Sequence, residues 1–260
     1  MMNELAEELN KKLGTAASFL SKAGKRMYFP YGGILGQGAE AAKCSLNATI
    51  GMAFEEDGTP LVMDCFRNNI NLDKSSFLYV GSFGHPRLRA VWREMQYAKN
   101  PSFAGMEFSL PVVTNALTHG LRVTAELFAD SEDEVVVPDL YWDNYELLFS
   151  EAVGARLSLF ETFKNGKFNS DALRKALLSG GNKKILILNF PNNPTGYLYT
   201  KQEMLQIRDL VKKYNLYLFS DEVYREFIYT KRPYISAFHL EGIEDHVILI
   251  DSVSKRYSLC

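Results

Sequence analysis

The chain has 260 residues, 47% of them hydrophobic, which is enough for one large domain with a substantial core or for one domain plus part of another. Its formal net charge of -2 and its lack of arginine-lysine clusters interleaved with aromatic residues disfavour nucleic acid as a partner. Three widely spaced cysteines, Cys44, Cys65 and Cys260, suggest neither a disulfide framework nor a Cys-x-x-Cys metal site, and they favour a cytoplasmic protein.

The N-terminal segment is predicted to contain a docking helix followed by a mobile connection. Apolar residues recur there at helical spacing: Leu5, Leu9, Leu13, Ala16 and Leu20. Glutamates interrupt this face, whereas signal and transit peptides avoid acids. The Gly-rich stretch 31–36 is the candidate connection, and it lacks the Gly-x-Gly-x-x-Gly spacing of a dinucleotide site. No apolar run approaches the roughly 20 residues that span a bilayer, so no membrane segment is predicted.

Further along the chain, short apolar runs alternate with helical patterns. The runs are continuous, which is typical of strands buried on both faces of a parallel sheet: 135–137, 185–188, 216–219 and 247–250. One helix is predicted from Ser170 to Gly180-Gly181, and another begins at Thr200, where Thr200 and Glu203 fit a capping box. The pattern predicts an α/β fold with a mainly parallel sheet covered by helices on both faces.

Polar side chains follow three of these strands, at the edge of the sheet where ligands of open α/β folds bind. They are an amide, a carboxylate with a phenol, and two hydroxyls with an amine: Asn193, Asp221, Tyr224, Ser252, Ser254 and Lys255. A lysine at a strand exit can form a Schiff base with a carbonyl cofactor. Considered alone, Lys255 is better interpreted as a solvated surface lysine, and 189–196 as a plain loop.

Three motifs, in this order and spacing, resemble the class I pyridoxal-phosphate aminotransferases of the aspartate aminotransferase superfamily, fold type I. They are Asn193-Pro194-Thr195-Gly196, Asp221-x-x-Tyr224 and Ser252-x-Ser254-Lys255. Weaker matches extend upstream to Asn47. The resemblance implies a three-layer cofactor-binding large domain at 47–260, incomplete at its C-terminus, preceded at 1–46 by an N-terminal arm and a segment of a small domain.

The resemblance implies pyridoxal 5'-phosphate as the cofactor and a role for each rim residue. Asp221 would face the pyridine nitrogen and favour the protonated ring, which makes the cofactor a better electron sink. Asn193 and Tyr224 would hydrogen-bond the phenolic oxygen of the cofactor. Lys255 would anchor the cofactor and, once released, transfer the proton at the substrate α-carbon.

Other cofactor contacts follow from the same resemblance. Trp142 would stack on the ring and Asn144 would hydrogen-bond nearby, with a core aromatic as the alternative for Trp142. The phosphate would be held by a turn at a helix start and by strand-exit hydroxyls: Thr118, the backbone amides of Leu117 and Thr118, Ser252 and Ser254. Leu117 and His119 stand where the family often has glycine or serine, and His119 is interpreted as structural. Capping of the strand exit is the alternative for both serines.

Two upstream segments are expected to complete the site. Tyr79, within 77–81, resembles the residue that crosses a dimer interface to the phosphate of the neighbouring subunit, which implies a homodimer with a shared active site. The stretch 47–51 matches the loop that closes over the substrate, with the Gly51 backbone at the entrance. Asn193 would also contact the substrate.

The expected function is a cytoplasmic aminotransferase that moves an amino group between an L-amino acid, of aspartate or aromatic type, and a 2-oxo acid. A fold type I carbon-sulfur lyase is one alternative, because it uses the same cofactor residues. The effector-binding domain of a pyridoxal-phosphate-dependent transcription regulator is another, although the short acidic N-terminal helix does not supply a DNA-binding module.

The resemblance also implies two binding groups that this sequence does not contain. A Gly-x-Arg-x-Gly phosphate clamp follows the lysine motif in the family, and a small domain later supplies an arginine for the substrate carboxylate. Neither fits before Cys260. We therefore expect the chain to be the front part of a longer protein.

Overall fold

A parallel sheet organises the part of the chain that the structure describes. This structure is a computed structural model, and it describes residues 3–28, 32–49, 51–69, 71–72, 74–100, 103, 105–179 and 184–259. The strands within these ranges are β1 (Glu134–Pro138), β2 (Arg156–Phe160), β3 (Phe163–Lys164), β4 (Lys167–Phe168), β5 (Lys184–Asn189), β6 (Tyr217–Asp221) and β7 (Val247–Ile250). Five of them form one sheet in the order β2-β1-β5-β6-β7, with every neighbouring pair parallel. The predicted α/β class and mainly parallel sheet are confirmed.

Helices account for nearly half of the remaining described chain. The α-helices are α1 (Glu4–Leu13), α2 (Lys22–Arg26), α3 (Ile34–Ala41), α4 (Asp64–Arg67), α5 (Pro86–Lys99), α6 (Ala116–Phe128), α7 (Ser170–Leu178), α8 (Lys201–Tyr214) and α9 (Val253–Arg256). Short 3-10 helices occupy Gly14–Phe19, Lys74–Phe77, Ala237–His239 and Glu244–His246, and a π-helix occupies Glu146–Glu151. None of the helices within the described ranges combines the length and apolar character that crossing a membrane requires.

The central strands of the sheet are buried on both faces because alternate side chains enter two separate cores. Leu186 and Leu188 of β5 point into a first core that also contains the apolar faces of α7 and α8. Ile185 and Ile187 of the same strand point into a second core, on the opposite face, that contains α6. This two-sided burial explains why the strands read as continuous apolar runs in the sequence.

Helix α8 begins and ends as its sequence predicts. The Thr200 side chain accepts a hydrogen bond from the Glu203 backbone N at 3.2 Å, and Glu203 Oε2 accepts one from the Thr200 backbone N at 2.7 Å. Met204, Ile207 and Val211 form its buried face. The predicted capping box and helix are confirmed. Helix α7 also begins at Ser170 as predicted, and the predicted Gly180-Gly181 end lies outside the described residues.

The N-terminal prediction is correct for the helix and wrong for its length. Helix α1 stops at Leu13 because Gly14 adopts a positive φ of 54° and ends the helix, so Ala16 and Leu20 do not continue its face. Only Ala6 of α1 is buried. The predicted mobile connection is wrong for Ile34-Leu35-Gly36, which begin α3, and Tyr31 lies outside the described residues.

Sequence patterns did not reveal β2 or the hairpin of β3 and β4. Strand β2 lies at one edge of the sheet, and its mixed burial goes with a sequence that has no continuous apolar run. The hairpin turns at Asn165-Gly166, both at positive φ. An Asn-Gly pair between short strands is a recognised hairpin signal and could have identified it.

Candidate active site

The carboxyl ends of three neighbouring strands lie side by side at one edge of the sheet. Asn189 of β5 is in register with Asp221 of β6, and Asp221 is in register with Ile250 of β7. The backbone continues this alignment past the strands, since Glu222 N donates a hydrogen bond to Ile250 O at 2.9 Å. The loops that carry Asn193, Tyr224 and Lys255 therefore leave the sheet at one rim.

Asp221 is a buried carboxylate with defined partners. Its Oδ2 accepts a hydrogen bond from the Tyr145 hydroxyl at 2.7 Å, and its Oδ1 accepts one from the Val223 backbone N at 3.3 Å. Burial raises the pKa of Asp221 to about 6, while the hydrogen bond from Tyr145 acts in the opposite direction. The side chain can therefore carry a charge at neutral pH and pair it with a cationic group of a ligand.

Asn189 connects Asp221 to the loop after β5. Its buried side chain donates through Nδ2 to Asp221 O at 3.0 Å, and its Oδ1 accepts from the Asn193 backbone N at 2.6 Å. Asn192 closes the following turn by accepting hydrogen bonds from Thr195 N and Oγ1 at 3.2 and 2.7 Å. These contacts fix the Asn193 backbone beside the end of β6 and leave its side chain half-buried.

Tyr224 lies in the turn that follows β6. The ring is half-buried and packs edge-on against Phe227, with ring centroids 6.0 Å apart. Burial is the main reason that its pKa is raised, and the nearby Asp221 carboxylate adds to the effect. The phenol thus keeps its proton across the neutral range and can serve as a hydrogen-bond donor.

Lys255 lies in α9, the short helix directly after β7. Ser252 caps this helix, because its Oγ accepts a hydrogen bond from the Ser254 backbone N at 3.1 Å, and the two serine hydroxyls lie 2.9 Å apart. A Cβ built on Gly51 would lie 3.7 Å from Lys255 Nζ. The loop that carries Gly51 therefore passes directly beside the lysine amine.

Helix α6 contacts both β7 and α9, and a Cβ built on Gly120 in its second turn would lie 3.9 Å from Ile250 Cγ2 at the end of β7. Thr118 is exposed in its first turn, and Leu117 packs against the second core. The Leu117 and Thr118 backbone amides belong to the N-terminal turn of a helix, where amides lack intrahelical partners and favour anions. The predicted phosphate turn thus coincides with the start of a helix that packs beside the exit of β7.

Within this turn, Ala116 has the unusual backbone conformation, whereas Leu117 and His119 do not. Ala116 has φ +63°, a left-handed conformation that favours glycine. His119 Nδ1 accepts a hydrogen bond from the Asn115 backbone N at 3.0 Å, which agrees with the structural role expected for it. Gly120 keeps the turn tight, because a Cβ there would lie 3.1 Å from Thr114 Oγ1.

Two of the predicted cofactor contacts lie in the segment after β1. Trp142 is half-buried and packs edge-on against the Tyr145 ring, with centroids 5.8 Å apart and an interplanar angle of 82°. Asn144 is also half-buried. This segment therefore approaches Asp221 through Tyr145.

Tyr79 is the predicted site residue that the structure does not bring to the others. Its side chain is fully exposed in the stretch after the 3-10 helix Lys74–Phe77. Large apolar neighbours in this stretch are exposed as well: Phe77, Leu78, Val80 and Phe83. In the single chain, the Tyr79 ring therefore faces solvent.

A buried polar network lies next to the lysine helix and connects it to α5. Asp251 Oδ2 accepts hydrogen bonds from Arg256 Nη2 at 2.7 Å and from Gln96 Nε2 at 3.1 Å. Gln96 Oε1 accepts a hydrogen bond from Arg225, which also approaches Glu222 to 3.5 Å. Burial raises the pKa of Asp251, although the Arg256 charge opposes this. The network holds the exits of β6 and β7 against α5.

Sequence reasoning missed three residues that organise the site. The sequence patterns gave no role to Tyr145, Asn189 or Asp251, although all three side chains hydrogen-bond at this edge of the sheet. The Asn189 position directly after a buried strand is a signal that could have been used, since buried strand-end amides require partners. The partner of Tyr145 is 76 residues away in the sequence, so no local pattern indicates it.

The chain matches a family model over most of its length. Residues 61–260 match the model described as aminotransferase class I and II. Among curated proteins, the chain is 31% identical to the aspartate aminotransferase of Thermotoga maritima over 150 residues, which cover 57% of this chain and 39% of that protein. It is 27% identical to the aspartate aminotransferase of Pyrococcus horikoshii over 190 residues, which cover 72% of this chain and 47% of that protein.

Solved structures share the fold. An aspartate aminotransferase tetra mutant of Thermus thermophilus, complexed with tryptophan, matches 92% of this chain and 62% of its own with a TM-score of 0.75 at 22% identity. An aromatic aminotransferase from Pyrococcus horikoshii matches 70% of this chain and 48% of its own with a TM-score of 0.63 at 26% identity. The chain spans less than half the length of the curated relatives described above.

Proposed function

The chain belongs to the class I and II aminotransferase family, and we propose on this basis that the protein transfers an amino group between an L-amino acid and a 2-oxo acid. The observation that carries the proposal is the placement of a buried carboxylate and a lysine at the ends of adjacent parallel strands. Asp221 ends β6, and Lys255 follows β7, its immediate neighbour in the sheet. This is the edge of an α/β sheet where ligands bind.

Pyridoxal 5'-phosphate is the proposed cofactor, and the chemistry of the described residues fits it. Asp221 offers a buried carboxylate for a protonated ring nitrogen, and Lys255 offers an amine beside Gly51. The first turn of α6 and the Ser252 hydroxyl offer donors for a phosphate. When bound, this cofactor supplies a carbonyl group for the amine and an electron-withdrawing ring for the reaction.

Asp221 and Lys255 have the proposed catalytic roles. The Asp221 carboxylate holds a proton on the ring nitrogen, because an ionised acid in a buried site strongly favours an adjacent cation. Lys255 anchors the cofactor through its Nζ and later serves as the general base and acid at the substrate α-carbon. Tyr224 assists as a phenol that retains its proton, which its raised pKa supports.

The remaining predicted residues are proposed to bind and orient. Asn193 hydrogen-bonds the cofactor and the substrate, and Asn189 supports its position. Trp142 and Asn144 line the ring site next to Tyr145. Phosphate donors come from the α6 turn and the lysine helix: Leu117 and Thr118, Ser252 and Ser254.

A homodimer with shared active sites is proposed from the exposure of Tyr79. A fully exposed tyrosine among exposed apolar side chains is typical of a surface that is covered in an assembly. In the dimer, Tyr79 of one subunit reaches the phosphate held by the other, while Gly51 lines the substrate entrance. We also propose that residues 1–46 form an N-terminal arm and a segment of a small domain, and that residues 47–260 form the large cofactor-binding domain.

The substrate class and the compartment follow from separate observations. Several relatives are named aspartate aminotransferases and one solved structure is an aromatic aminotransferase, so we propose a donor of aspartate or aromatic type.

The free thiols of Cys44 and Cys65 are exposed, which is typical of a reducing compartment and supports a cytoplasmic location.

A spectral titration tests the proposed function. Protein saturated with pyridoxal 5'-phosphate should lose the visible absorption of its lysine-bound cofactor when aspartate or phenylalanine is added, and regain it with 2-oxoglutarate. Each half-reaction requires the whole set of catalytic residues, so Asp221→Ala should remove the donor response. A wild-type spectrum that is insensitive to every amino donor, including tyrosine and alanine, would contradict the proposal.

A further inference from the structure

Tyr145 places a phenol directly on the carboxylate of Asp221. The tyrosine is 1% exposed and the aspartate 2% exposed, and the hydroxyl donates to Asp221 Oδ2 at 2.7 Å. A hydrogen bond to an ionised acceptor is stronger than one between neutral groups, and its strength increases when water is excluded. This contact is therefore the dominant side-chain interaction of Asp221 among the described residues.

The Tyr145 ring is held on several sides. The Trp142 ring packs edge-on against it, and the Tyr141 ring lies nearly parallel to it at a centroid distance of 6.5 Å and an angle of 10°. Its backbone N donates to Trp142 O at 2.9 Å, immediately before the π-helix Glu146–Glu151. A side chain packed in this way holds its hydroxyl in one direction.

Two influences around Asp221 disfavour its negative charge. Burial is the largest influence and raises its pKa, and the carboxylate of Asp251 at the exit of β7 acts in the same direction. Tyr224, in the turn after β6, also senses the Asp221 charge. Three hydrogen-bond donors favour the charged form of Asp221. The Tyr145 hydroxyl has the largest effect, followed by the Val223 backbone N and the Asn189 amide.

The proton of this hydrogen bond remains on the tyrosine. Burial and the neighbouring Asp221 charge raise the pKa of Tyr145 well above its ordinary value. The pair therefore consists of a neutral phenol and an acid that can ionise near neutral pH.

We propose that Tyr145 is a positioning residue that keeps the Asp221 carboxylate ionised and aimed at the ligand site. The role of this carboxylate toward a cofactor rests on the proposed function, whereas the effect of Tyr145 on Asp221 is a property of the chain itself. Removal of the hydroxyl should make Asp221 harder to ionise, and the site should then lose its charge at a higher pH.

The test measures the ionisation of Asp221 in the full chain without cofactor. Carboxyl carbon-13 resonances of labelled aspartate are followed with pH, and Asp221→Asn identifies the resonance. Tyr145→Phe removes only the hydroxyl and should raise the midpoint of the Asp221 titration by about one to two pH units, the range expected for loss of a hydrogen bond to a charged group. An unchanged midpoint in a folded Tyr145→Phe protein would overturn the inference.

Tyr141→Phe is the matched control. Tyr141 is a half-buried neighbour with the same phenol, and no hydrogen bond in the described chain joins it to Asp221. Its substitution should leave the Asp221 midpoint unchanged. An equal shift in both variants would assign the effect to general repacking and contradict a specific role of Tyr145.

A second measurement remains valid if Tyr145→Phe fails to fold. In a Tyr224→Phe protein labelled at the tyrosine Cζ, which lacks the other phenol that senses Asp221, one tyrosine resonance should shift with the same midpoint as the Asp221 carboxyl, because the Tyr145 hydroxyl donates to that group. Absence of such a resonance contradicts the inference. If Tyr145→Phe shifts the Asp221 midpoint as expected but the wild-type protein does not respond to amino donors, the proposed function is refuted and the inference about Tyr145 stands.

Discussion

At the scale of single residues, Asp221 combines two opposing requirements. Burial favours its neutral form, whereas the proposed chemistry requires its ionised form at neutral pH. A carboxyl group whose pKa is higher in the folded than in the unfolded protein binds its proton more tightly when folded. The free energy of unfolding therefore falls as the pH rises between the unfolded value of 3.8 and the folded value of about 6.

Asp221→Asn should remove this part of the pH dependence. Because the shift is about two pH units, the wild type should lose about 3 kcal/mol of unfolding free energy from this group between pH 4 and 7, and the variant should not. Urea unfolding at several pH values measures the difference. The variant should be at least as stable as the wild type at pH 7 and should not respond to amino donors.

Asp171→Asn provides the control for this measurement. The Asp171 side chain is 76% exposed, so its substitution should leave the pH dependence of unfolding as in the wild type. Identical pH profiles for wild type and Asp221→Asn would contradict the raised pKa of Asp221.

Local sequence patterns indicate the proposed catalytic residues more readily than the residues that support them. Asp221 and Lys255 follow apolar strands directly, so a local pattern indicates them. Tyr145 reaches Asp221 only after the β1 and β6 segments have been brought together by the sheet. Such contacts depend on tertiary packing and have no signature in the local sequence.

At the scale of elements, the first residue of α6 has a backbone conformation that its residue type disfavours. Ala116 has a left-handed conformation, which costs an L-residue roughly 1–2 kcal/mol and glycine almost nothing. The turn precedes the amides proposed to bind phosphate, so the strain lies at a site where function can require it.

Ala116→Gly should stabilise the protein. The expected gain in unfolding free energy is about 1 kcal/mol, because glycine adopts this φ without strain but loses more chain entropy on folding. Ala125→Gly, in the interior of the same helix, is the matched control and should lower stability by about 1 kcal/mol or more. A loss of stability in Ala116→Gly, measured by urea unfolding, would contradict the left-handed conformation.

Elements with strong local signals were predicted, and the others were not. The capping box of α8 lies within four consecutive residues, so its start could be located to the residue. The end of α1 depends on the positive φ of Gly14, which competes with an apolar spacing that continues beyond it. Strand β2 is exposed on part of its surface and includes Arg156 and Ser158, so its sequence lacks the continuous apolar run that indicated the other strands of its sheet.

At the scale of the whole molecule, buried charges join α5 to the sheet. Arg225 is buried and contacts Gln96, Asn100 and Glu222, and its guanidinium lies 4.8 Å from the centroid of the Tyr234 ring. Glu222 in turn accepts hydrogen bonds from the Ser220 and Ser236 hydroxyls and from the Ala237 backbone N. The parallel sheet and two-sided cores were predictable from apolar patterning, whereas this network was not.

Arg225→Ala should destabilise the protein by about 3–5 kcal/mol. The substitution leaves the buried Glu222 without its cationic partner and removes the packing of Arg225 on Tyr234. Arg174→Ala, at an exposed ion pair with Asp171, should change stability by less than about 1 kcal/mol. Equal effects of the two substitutions on urea unfolding would show that the network contributes little.

We propose that Lys255 anchors pyridoxal 5'-phosphate at the rim formed by β5, β6 and β7. The most direct measurement is borohydride reduction of the cofactor-saturated protein, followed by protease digestion and mass spectrometry of the peptides. The account predicts a reduced cofactor on the peptide that contains Lys255, and no covalent label in Lys255→Ala. A label on a different lysine, or a label that persists in Lys255→Ala, would contradict it.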